Sequence, residues 1–198
     1  GKSGAAKAFD ATTGEPRWTS ELKGAGVYLS PTVLDLLGEK YLMAAVEGKL
    51  AGLNPTTGNT LWEHPWKIFM INAQIVQPLE LSDDFFLLSA GYGKGAEAIR
   101  FKKTANGFET EQIWKSKNLK TKFSSPVLKN GYLYGLSESS LTCLDASTGE
   151  LQWRGAAGDA ASPDGRWPGA DHHRSPPLEE GHWCRYRGRC TWIISLWG

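Results

Sequence analysis

The sequence predicts an all-β fold made of repeated four-stranded antiparallel sheets. A phrase that combines a turn with a tryptophan recurs along the first 155 residues, and short β-type runs precede the copies instead of helical periodicity. The composition agrees, because 23 Gly and nine Trp in 198 residues indicate repeated turns with repeated aromatic anchors. The expected unit is therefore one sheet for each copy of the phrase.

Three close copies of the phrase define the repeat, with the shared core (D/N)xxTGxxxW. They read AFDATTGEPRW (8–18), GLNPTTGNTLW (52–62) and CLDASTGELQW (143–153). A looser copy, TANGFETEQIW (104–114), keeps Gly107 and Trp114 but separates them by seven positions instead of four. The predicted structural motif residues are Asp10, Gly14, Trp18, Asn54, Gly58, Trp62, Gly107, Trp114, Asp145, Gly149 and Trp153.

The last copy shows the strand pattern that leads into the motif. SSPVL (124–128), YLYGLS (132–137) and LTCLD (141–145) are β-type runs, and the strand that carries Trp153 follows them. Asn130-Gly131 is a strong hairpin signal, because both central residues of a type I′ turn need positive φ. The copy that ends at Trp62 is preceded by the parallel series SPTVL, a turn near Gly38, YLMAAV and KLAGLN. Each repeat thus has four predicted strands.

A repeat of about 40 to 50 residues with four strands is typical of a propeller blade. The sequence predicts a partial β-propeller of about three to four four-stranded antiparallel blades, followed by an irregular C-terminal tail. A partial blade is expected to end near Trp18, and blades are expected over about 25–66, 70–117 and 122–154. The apolar run 68–76 is interpreted as a linker and a buried inner strand, because it is too short to span a membrane.

The residue types of the motif have the same physical explanation in each copy. Its Asp or Asn can accept hydrogen bonds from backbone N–H groups just downstream, and its Gly supplies the positive φ that closes the hairpin. Four positions later, the Trp ring can lie across the gap between neighbouring sheets. Burial of about 150 to 250 Å² would contribute roughly 4 to 6 kcal/mol before ordering costs. The motif residues are therefore predicted to be structural.

The composition changes after residue 155. All 14 Lys and all seven Phe come before residue 156, whereas 156–198 hold five of the eight Arg and three of the four His. The predicted organisation is a partial propeller over 1–155 and an irregular tail over 156–198. We hypothesise that the tail is translated out of frame from a GC-rich gene, and a propeller-like continuation in another reading frame would support this.

Charge and length exclude several classes of function. The 22 basic and 21 acidic residues give a net charge of +1, which does not favour binding to nucleic acid through bulk attraction. No apolar run reaches the roughly 18 residues of a membrane span, and residues 1–7 lack the apolar stretch of a signal peptide. Three Cys give no disulfide framework.

Two segments resemble anion-binding or nucleic-acid-binding elements and have simpler interpretations. GYGKG (91–95) resembles a phosphate loop, but a strand-like segment follows it instead of a helix, so a hairpin turn is favoured over anion binding. The run of Lys115, Lys117, Lys120 and Lys122 is interpreted as a solvated surface in a connection rather than as a nucleic-acid patch.

The remaining candidates for chemistry also favour structural interpretations. His64 has no nucleophile motif to serve and is expected at a surface or an interface. Asp83-Asp84 is expected at a hairpin tip rather than as a catalytic pair. The His and Cys residues of the tail fit no usual zinc spacing. They are His172, His173, His182, Cys184 and Cys190. No catalytic, cofactor-binding or metal-binding residue is assigned.

The motif AxDxxTGxxxW, present at 8–18, resembles the repeat of the pyrroloquinoline-quinone-type (PQQ-like) β-propellers. The resemblance covers about residues 1–155. It implies blades docked by Trp and a complete ring of about seven or eight blades, which at about 45 residues each needs well over 300 residues. The expectation is therefore that this chain supplies a fragment of a ring, whose remaining blades are partners of the parent protein.

The family includes quinoprotein dehydrogenases, which hold the quinone and calcium on the propeller axis, and non-enzymatic propellers such as the outer-membrane assembly lipoprotein. The enzymes have an adjacent Cys pair, whereas Cys143 stands alone here. The expected function is a non-catalytic repeat segment acting as a binding or assembly scaffold. A fragment of a quinone-dependent dehydrogenase, with PQQ and calcium, is the alternative.

The resemblance also implies partners and a location. The expected partner is a protein or a small ligand bound at the propeller funnel, since rigid blades position variable loops there. No nucleic acid and no membrane span are expected. Export to the periplasm or the cell surface is implied by the family alone, since the fold itself does not determine function.

Overall fold

The computed structural model describes residues 5–68, 74–105 and 107–156. These residues form fourteen strands and no helix. The strands are β1 (Lys7–Phe9), β2 (Pro16–Thr19), β3 (Thr32–Leu36), β4 (Glu39–Val46), β5 (Lys49–Leu53), β6 (Thr60–Pro65), β7 (Leu79–Ser82), β8 (Phe85–Ala90), β9 (Gly95–Thr104), β10 (Gly107–Ser116), β11 (Val127–Lys129), β12 (Tyr132–Ser137), β13 (Ser140–Asp145) and β14 (Leu151–Ala156).

The strands pair into one two-stranded sheet and three four-stranded sheets. β1-β2, β3-β4-β5-β6, β7-β8-β9-β10 and β11-β12-β13-β14 are each joined in chain order, and every pairing is antiparallel. We refer to them as sheets 1 to 4. The predicted partial propeller, with a partial blade before three four-stranded blades, is confirmed. The predicted tail over 156–198 lies outside the described residues apart from Ala156, which ends β14.

Several predicted turns have the expected backbone conformation. Asn130 and Gly131 have φ of 51° and 79°, as a type I′ hairpin requires. Leu37 and Gly38 have φ of 54° and 75°, so the same kind of turn joins β3 to β4. Asp83-Asp84 is the hairpin tip between β7 and β8, as predicted.

Two predicted strands differ clearly from the structure. The first strand of sheet 4 begins at Val127 instead of Ser124, because Pro126 has no backbone N–H to donate to the ladder. The inner strand expected within 68–76 is absent from the described part of that run. Gln74 to Val76 form no strand, and β7 begins only at Leu79. Residues 69–73 of the run lie outside the described part.

Antiparallel strand order gives every sheet two distinct ends. We call one end the turn face, because it holds the turns between first and second strands and between third and fourth strands. The opposite end holds the turns between second and third strands and the links between sheets, and we call it the connection face. The three links are 20–31, 66–78 and 117–126. Both names follow from chain order alone.

The hydrophobic core lies between the sheets as three clusters. On β4, Tyr41 and Met43 point toward sheet 3, whereas Ala44 and Val46 point toward sheet 1, which follows the two-residue period of a strand. A third cluster, around Leu133 and Leu144 with Trp114, joins sheets 3 and 4. Each large side chain buried in this way stabilises the fold by about 1.5 to 3 kcal/mol. Both faces of the inner sheets are thus buried.

Candidate functional site

The carboxylate or amide of each motif closes its own turn. Asp10 Oδ1 accepts from the N–H groups of Thr12 (2.9 Å) and Thr13 (3.0 Å). Asn54 Oδ1 accepts in the same way at 2.8 and 3.1 Å, and Asp145 Oδ1 at 2.8 and 3.0 Å. These are Asx turns, in which the side chain satisfies backbone donors that the hairpin leaves unpaired. The structure therefore places all three groups in structural roles.

The motif glycines adopt the left-handed conformation that the turn needs. Gly14, Gly58 and Gly149 have φ of 74°, 77° and 73°. Each donates its N–H to the carbonyl of the Asp or Asn four residues earlier, at 2.8 to 2.9 Å. Any other residue would be strained at these positions.

Trp18 and Trp114 dock onto the motif turn of the next sheet. Trp18 Nε1 donates to the carbonyl of Pro55 at 3.1 Å, and Trp114 Nε1 donates to that of Ala146 at 3.0 Å. A Cβ added to Gly58 would lie 2.3 Å from the Trp18 ring, and one added to Gly149 would lie 2.4 Å from the Trp114 ring. The motif glycine thus serves both the turn and the junction between sheets.

Trp62 occupies a different place. Its ring covers Gly52, the partner of Trp62 across the β5-β6 ladder, where an added Cβ would lie 2.2 Å from Cε2. The ring packs against Phe86 and Phe101 of sheet 3, with centroids 5.9 and 5.2 Å away. Its buried Nε1 has no hydrogen-bond partner among the described residues. Trp62 therefore joins sheets 2 and 3 by aromatic packing, and not by a hydrogen bond to a motif turn.

The degenerate third copy explains this difference. β9 and β10 remain paired up to Thr104 and Gly107, so sheet 3 has no motif turn that could receive an indole. Gly107 has φ of 128° and lies in that longer hairpin. Phe101 and Phe108 stack with centroids 5.3 Å apart beside the gap, and Tyr41 meets both edge-on. Aromatic side chains fill the space that a turn fills at the other junctions.

Trp153 ends the series on sheet 4. Its ring lies against Tyr134, with centroids 6.1 Å apart, and it is half-buried. Trp18 is also half-buried, whereas Trp62 and Trp114 are 4% and 7% exposed. The repeated Trp therefore contributes most to the core at the junctions that sheet 3 makes with its neighbours.

The motif carboxylates are strongly acidic because of their turns. Arg17, with the amides of Thr13 and Thr12, lowers the pKa of Asp10 to about 2. The pKa of Asp145 is also lowered, chiefly by the hydroxyl of Ser147. Both groups are therefore ionised at neutral pH and do not suit proton transfer there.

A charged cluster that the sequence did not reveal lies between sheets 2 and 3 at the connection face. Glu97 is 4% exposed, and its Oε1 lies 3.2 Å from Lys94 Nζ and 2.9 Å from Lys115 Nζ. Lys94 Nζ also stands 4.0 Å from the centroid of the buried Trp66 ring. Two cations thus compensate one buried carboxylate, and they keep its pKa low although burial opposes ionisation.

His64 belongs to the same junction. It is 7% exposed, and its Nδ1 lies 2.9 Å from Thr110 Oγ1 on the neighbouring sheet. Nε2 is buried without a partner among the described residues. Burial lowers the pKa of His64, and Lys94 adds to that effect while Glu97 opposes it. The sequence predicts a histidine at a surface or an interface, and the structure places His64 at the interface between two sheets.

The glycine-rich segment 91–95 is a hairpin turn, as predicted. It joins β8 to β9, and Tyr92 and Gly93 have φ of 54° and 75°. Lys117 reaches it from the next link, with Nζ donating to the carbonyls of Gly93 (2.5 Å) and Lys94 (3.1 Å). The lysine run is therefore more than the solvated surface expected, because it fastens the link 117–126 to this turn.

A cleft of about 610 Å³ opens between sheets 3 and 4 at the turn face. Leu81, Phe85 and Leu128 provide apolar walls. Arg100 lies over the Phe85 ring, with Cζ 4.4 Å from the centroid, and its Nε is 3.3 Å from Asp84 Oδ2. This volume is typical of small-ligand sites. The lining of the cleft thus combines apolar side chains with the guanidinium of Arg100.

A calcium ion is held by several oxygen ligands that lie close together. Among the described residues, no three His, Cys, Asp or Glu side chains form a group that could hold a metal ion. Cys143 is buried in that part of the chain, and burial raises the pKa of its thiol to about 11. The tail residues considered as metal ligands, His172, His173, His182, Cys184 and Cys190, lie outside the described residues.

Comparison with known proteins places the chain in a family. Residues 2–155 match the model of the family described as outer membrane protein assembly factor BamB. The chain belongs to this family. It is thus a PQQ-like repeat protein, as its turn and tryptophan motif indicates. No curated protein matches the chain.

One similar solved structure is the quinohemoprotein alcohol dehydrogenase ADHIIG from Pseudomonas putida HK5. It is 16% identical to this chain, with a TM-score of 0.48, over 70% of this chain and 22% of the enzyme. The PQQ-like chain therefore spans about a fifth of that enzyme's length. No helix in the described ranges is long and apolar enough to cross a membrane.

Replacing a motif glycine tests the docking of Trp18. Gly58→Ala is expected to lower the free energy of unfolding by about 2 to 4 kcal/mol, because the methyl group strains a positive φ and displaces the indole. Gly14→Ala is the matched control, since Gly14 has nearly the same φ but nothing within 4 Å of its added Cβ. It should cost about 1 to 2 kcal/mol. Urea unfolding measures both, and equal losses would contradict the docking role.

The pH dependence of stability tests the burial of His64. The pKa of His64 in the folded chain lies below its ordinary value of 6.5. Below pH 6.5, His64 therefore binds a proton more readily in the unfolded chain than in the folded chain. Stability is expected to fall as the pH drops from 6.5 through the folded pKa, by at most about 1.4 kcal/mol per pH unit. The comparison is between urea unfolding of the wild type and of His64→Gln from pH 7 to 5.

The variant His64→Gln should lose less stability over that range. Carboxylates with a lowered pKa, such as Asp10 and Asp145, lose their contribution to stability only nearer pH 4. They are also the same in both proteins. Histidines 172, 173 and 182 are also common to both. Identical slopes between pH 6.5 and 5 would show that His64 is not buried as a neutral ring.

Proposed function

We propose that this chain is a non-catalytic PQQ-like propeller segment that acts as a binding or assembly scaffold. The family match supports the scaffold reading, because its description names an assembly factor. The main observation behind the proposal is that the motif side chains make structural contacts. Asp10, Asn54 and Asp145 close turns, and Trp18 and Trp114 lock neighbouring sheets together. The repeat thus builds a rigid body and contributes no reactive group.

The other titratable groups of the described part support the same reading. Catalysis of proton transfer or nucleophilic attack needs an accessible group whose pKa lies near the working pH. Glu97 is ionised and held by two lysines, the thiol of Cys143 is buried and protonated, and His64 is enclosed between two sheets. Each of these groups is committed to packing or to an ion pair.

The scaffold would bind its partner through loops at the ends of the sheets, where a rigid framework positions variable segments. The proposed partner is a protein, and the cleft beside Arg100 offers a place for a small ligand. We place the parent protein in the periplasm or at the cell surface, in keeping with the family description.

Addition of the quinone with calcium tests the proposal against its rival. The full-length gene product would be incubated with pyrroloquinoline quinone and Ca²⁺, dialysed, and assayed for retained quinone and for reduction of a dye with alcohols. A known quinoprotein apoenzyme, treated in parallel, controls for reconstitution. The scaffold proposal expects no retained quinone and no dye reduction. Tight quinone binding with dye reduction would establish the dehydrogenase alternative.

A further inference from the structure

Charge is divided between the two ends of the sheets, although the described residues are neutral overall. They contain sixteen basic and sixteen acidic side chains. Judged by their positions along the strands and turns, ten of the basic side chains but only six of the acidic ones are closer to the connection face than to the turn face. All five aspartates lie at the turn face. The link 117–126 carries three lysines and no acid. The connection face is thus the positive end.

The same face presents two exposed aromatic rings at matching positions. Tyr28 and Phe123 are both 77% exposed. Each stands three residues before a proline, Pro31 or Pro126, that precedes the first strand of its sheet. Ile75 has the matching position before Pro78 in the link between them and is half-buried. We call these three side chains the apolar row.

The part of the link just before Phe123 is firmly held. Leu119 and Thr121 are fully buried, and Thr121 Oγ1 donates to Ser89 Oγ at 2.7 Å. The N–H of Lys120 donates to Ser137 Oγ at 3.0 Å. Phe123 follows this anchored part by two residues, and its ring lies in solvent. A rigid support lets an exposed aromatic side chain contact a partner with little loss of conformational entropy.

The link with Tyr28 is held in a similar way. Leu22 is buried, the N–H of Glu47 donates to the carbonyl of Ala25 at 3.0 Å, and Gln77 Nε2 donates to the carbonyl of Ser30 at 3.2 Å. The bond from Gln77 ties this link to the next one. Two of the three links that carry the apolar row are therefore tied to each other.

We propose that the connection face binds an acidic polypeptide segment, whose apolar side chains pack on the apolar row while its carboxylates meet Lys120 and Lys122. This inference rests on the proposed scaffold function and names its surface and the chemistry of its partner. Sheets pack about 10 Å apart, so Tyr28 and Phe123, two sheets apart, are separated by about 20 Å. An extended segment of about six residues spans that distance.

The charges around the row favour a polypeptide over other anionic partners. Glu21 and Glu47 lie in the same region as Tyr28, so an anionic membrane pressed against the whole face would meet both carboxylates. Rings separated by about 20 Å are too far apart to stack on successive bases of a nucleic acid, which lie within a few ångströms of each other. A narrow segment can keep its carboxylates at the Phe123 end of the row, beside Lys120 and Lys122, and present an apolar side chain to Tyr28. Glu138, whose Oε1 is 4.0 Å from Lys120 Nζ, is the acidic group that it would meet there.

Fluorescence anisotropy with a labelled peptide of about twelve alternating Glu and Leu residues tests the proposal on the full chain. A peptide of alternating Lys and Leu, labelled oligothymidylate and phosphatidylglycerol vesicles are the competing probes. The double variant Tyr28→Ser/Phe123→Ser should weaken binding of the acidic peptide at least about tenfold. The double variant Lys120→Gln/Lys122→Gln should weaken it by about threefold or more and reduce its dependence on salt.

Controls separate recognition from loss of folding. Phe9→Ser removes a 58% exposed ring near the turn face and should leave binding unchanged. Tyr28→Phe/Phe123→Tyr keeps both rings and should bind like the wild type. Circular dichroism and the melting temperature of each variant establish that it is folded, so a loss of binding in a folded variant supports the proposal.

Three results would overturn the inference: absent binding of the acidic peptide, equal binding of the basic peptide, or binding of oligothymidylate or vesicles that depends on the two rings. The quinone assay keeps the two proposals distinguishable. Dye reduction would overturn the scaffold function itself, whereas failure of the acidic peptide without dye reduction would overturn only the surface proposed here.

Discussion

The structure depends on the contact between an indole ring and a glycine that has no Cβ. A four-stranded sheet with two apolar faces cannot bury both by itself, so each face needs a neighbour. Trp18 and Trp114 supply that link by covering Gly58 and Gly149, and each donates its N–H to a carbonyl of the same turn. The backbone conformation, the space for the ring and the hydrogen bond therefore all depend on one short turn.

The junction between sheets 2 and 3 shows how the fold accommodates a repeat without that turn. Trp62 lies over Gly52 and packs on Phe86 and Phe101, so apolar contact replaces the directed hydrogen bond. The same junction contains the ion pairs of Glu97 and the bond of His64 to Thr110. Buried polar groups of this kind stabilise little by themselves, but they fix how two sheets sit against each other. This junction thus gains its specificity away from the motif.

Local signals in the sequence were sufficient for most of the strands, for the turns and for their order, since Asn130-Gly131 and the motif Asp and Gly act on their own backbone. They could not reveal contacts between residues far apart in the chain. His64 and Thr110 are 46 positions apart, and Lys94 approaches Trp66 across a sheet junction. The direction of the Trp62 ring was equally hidden, because it depends on a turn missing from the next repeat. Local chemistry predicts the blade, whereas the junctions need coordinates.

Function in such a molecule is expected at its ends. The faces of the sheets are used by the stacking itself, and the motif side chains are used by the turns, so the loops are free to vary. The near-zero net charge conceals this division, because aspartates collect at the turn face and lysines of the link 117–126 collect at the opposite face. Screening limits each charge to about 8 to 10 Å at physiological salt, which is less than the length of a six-residue strand. A partner at one end therefore experiences the charge of that end, and not the average of the chain.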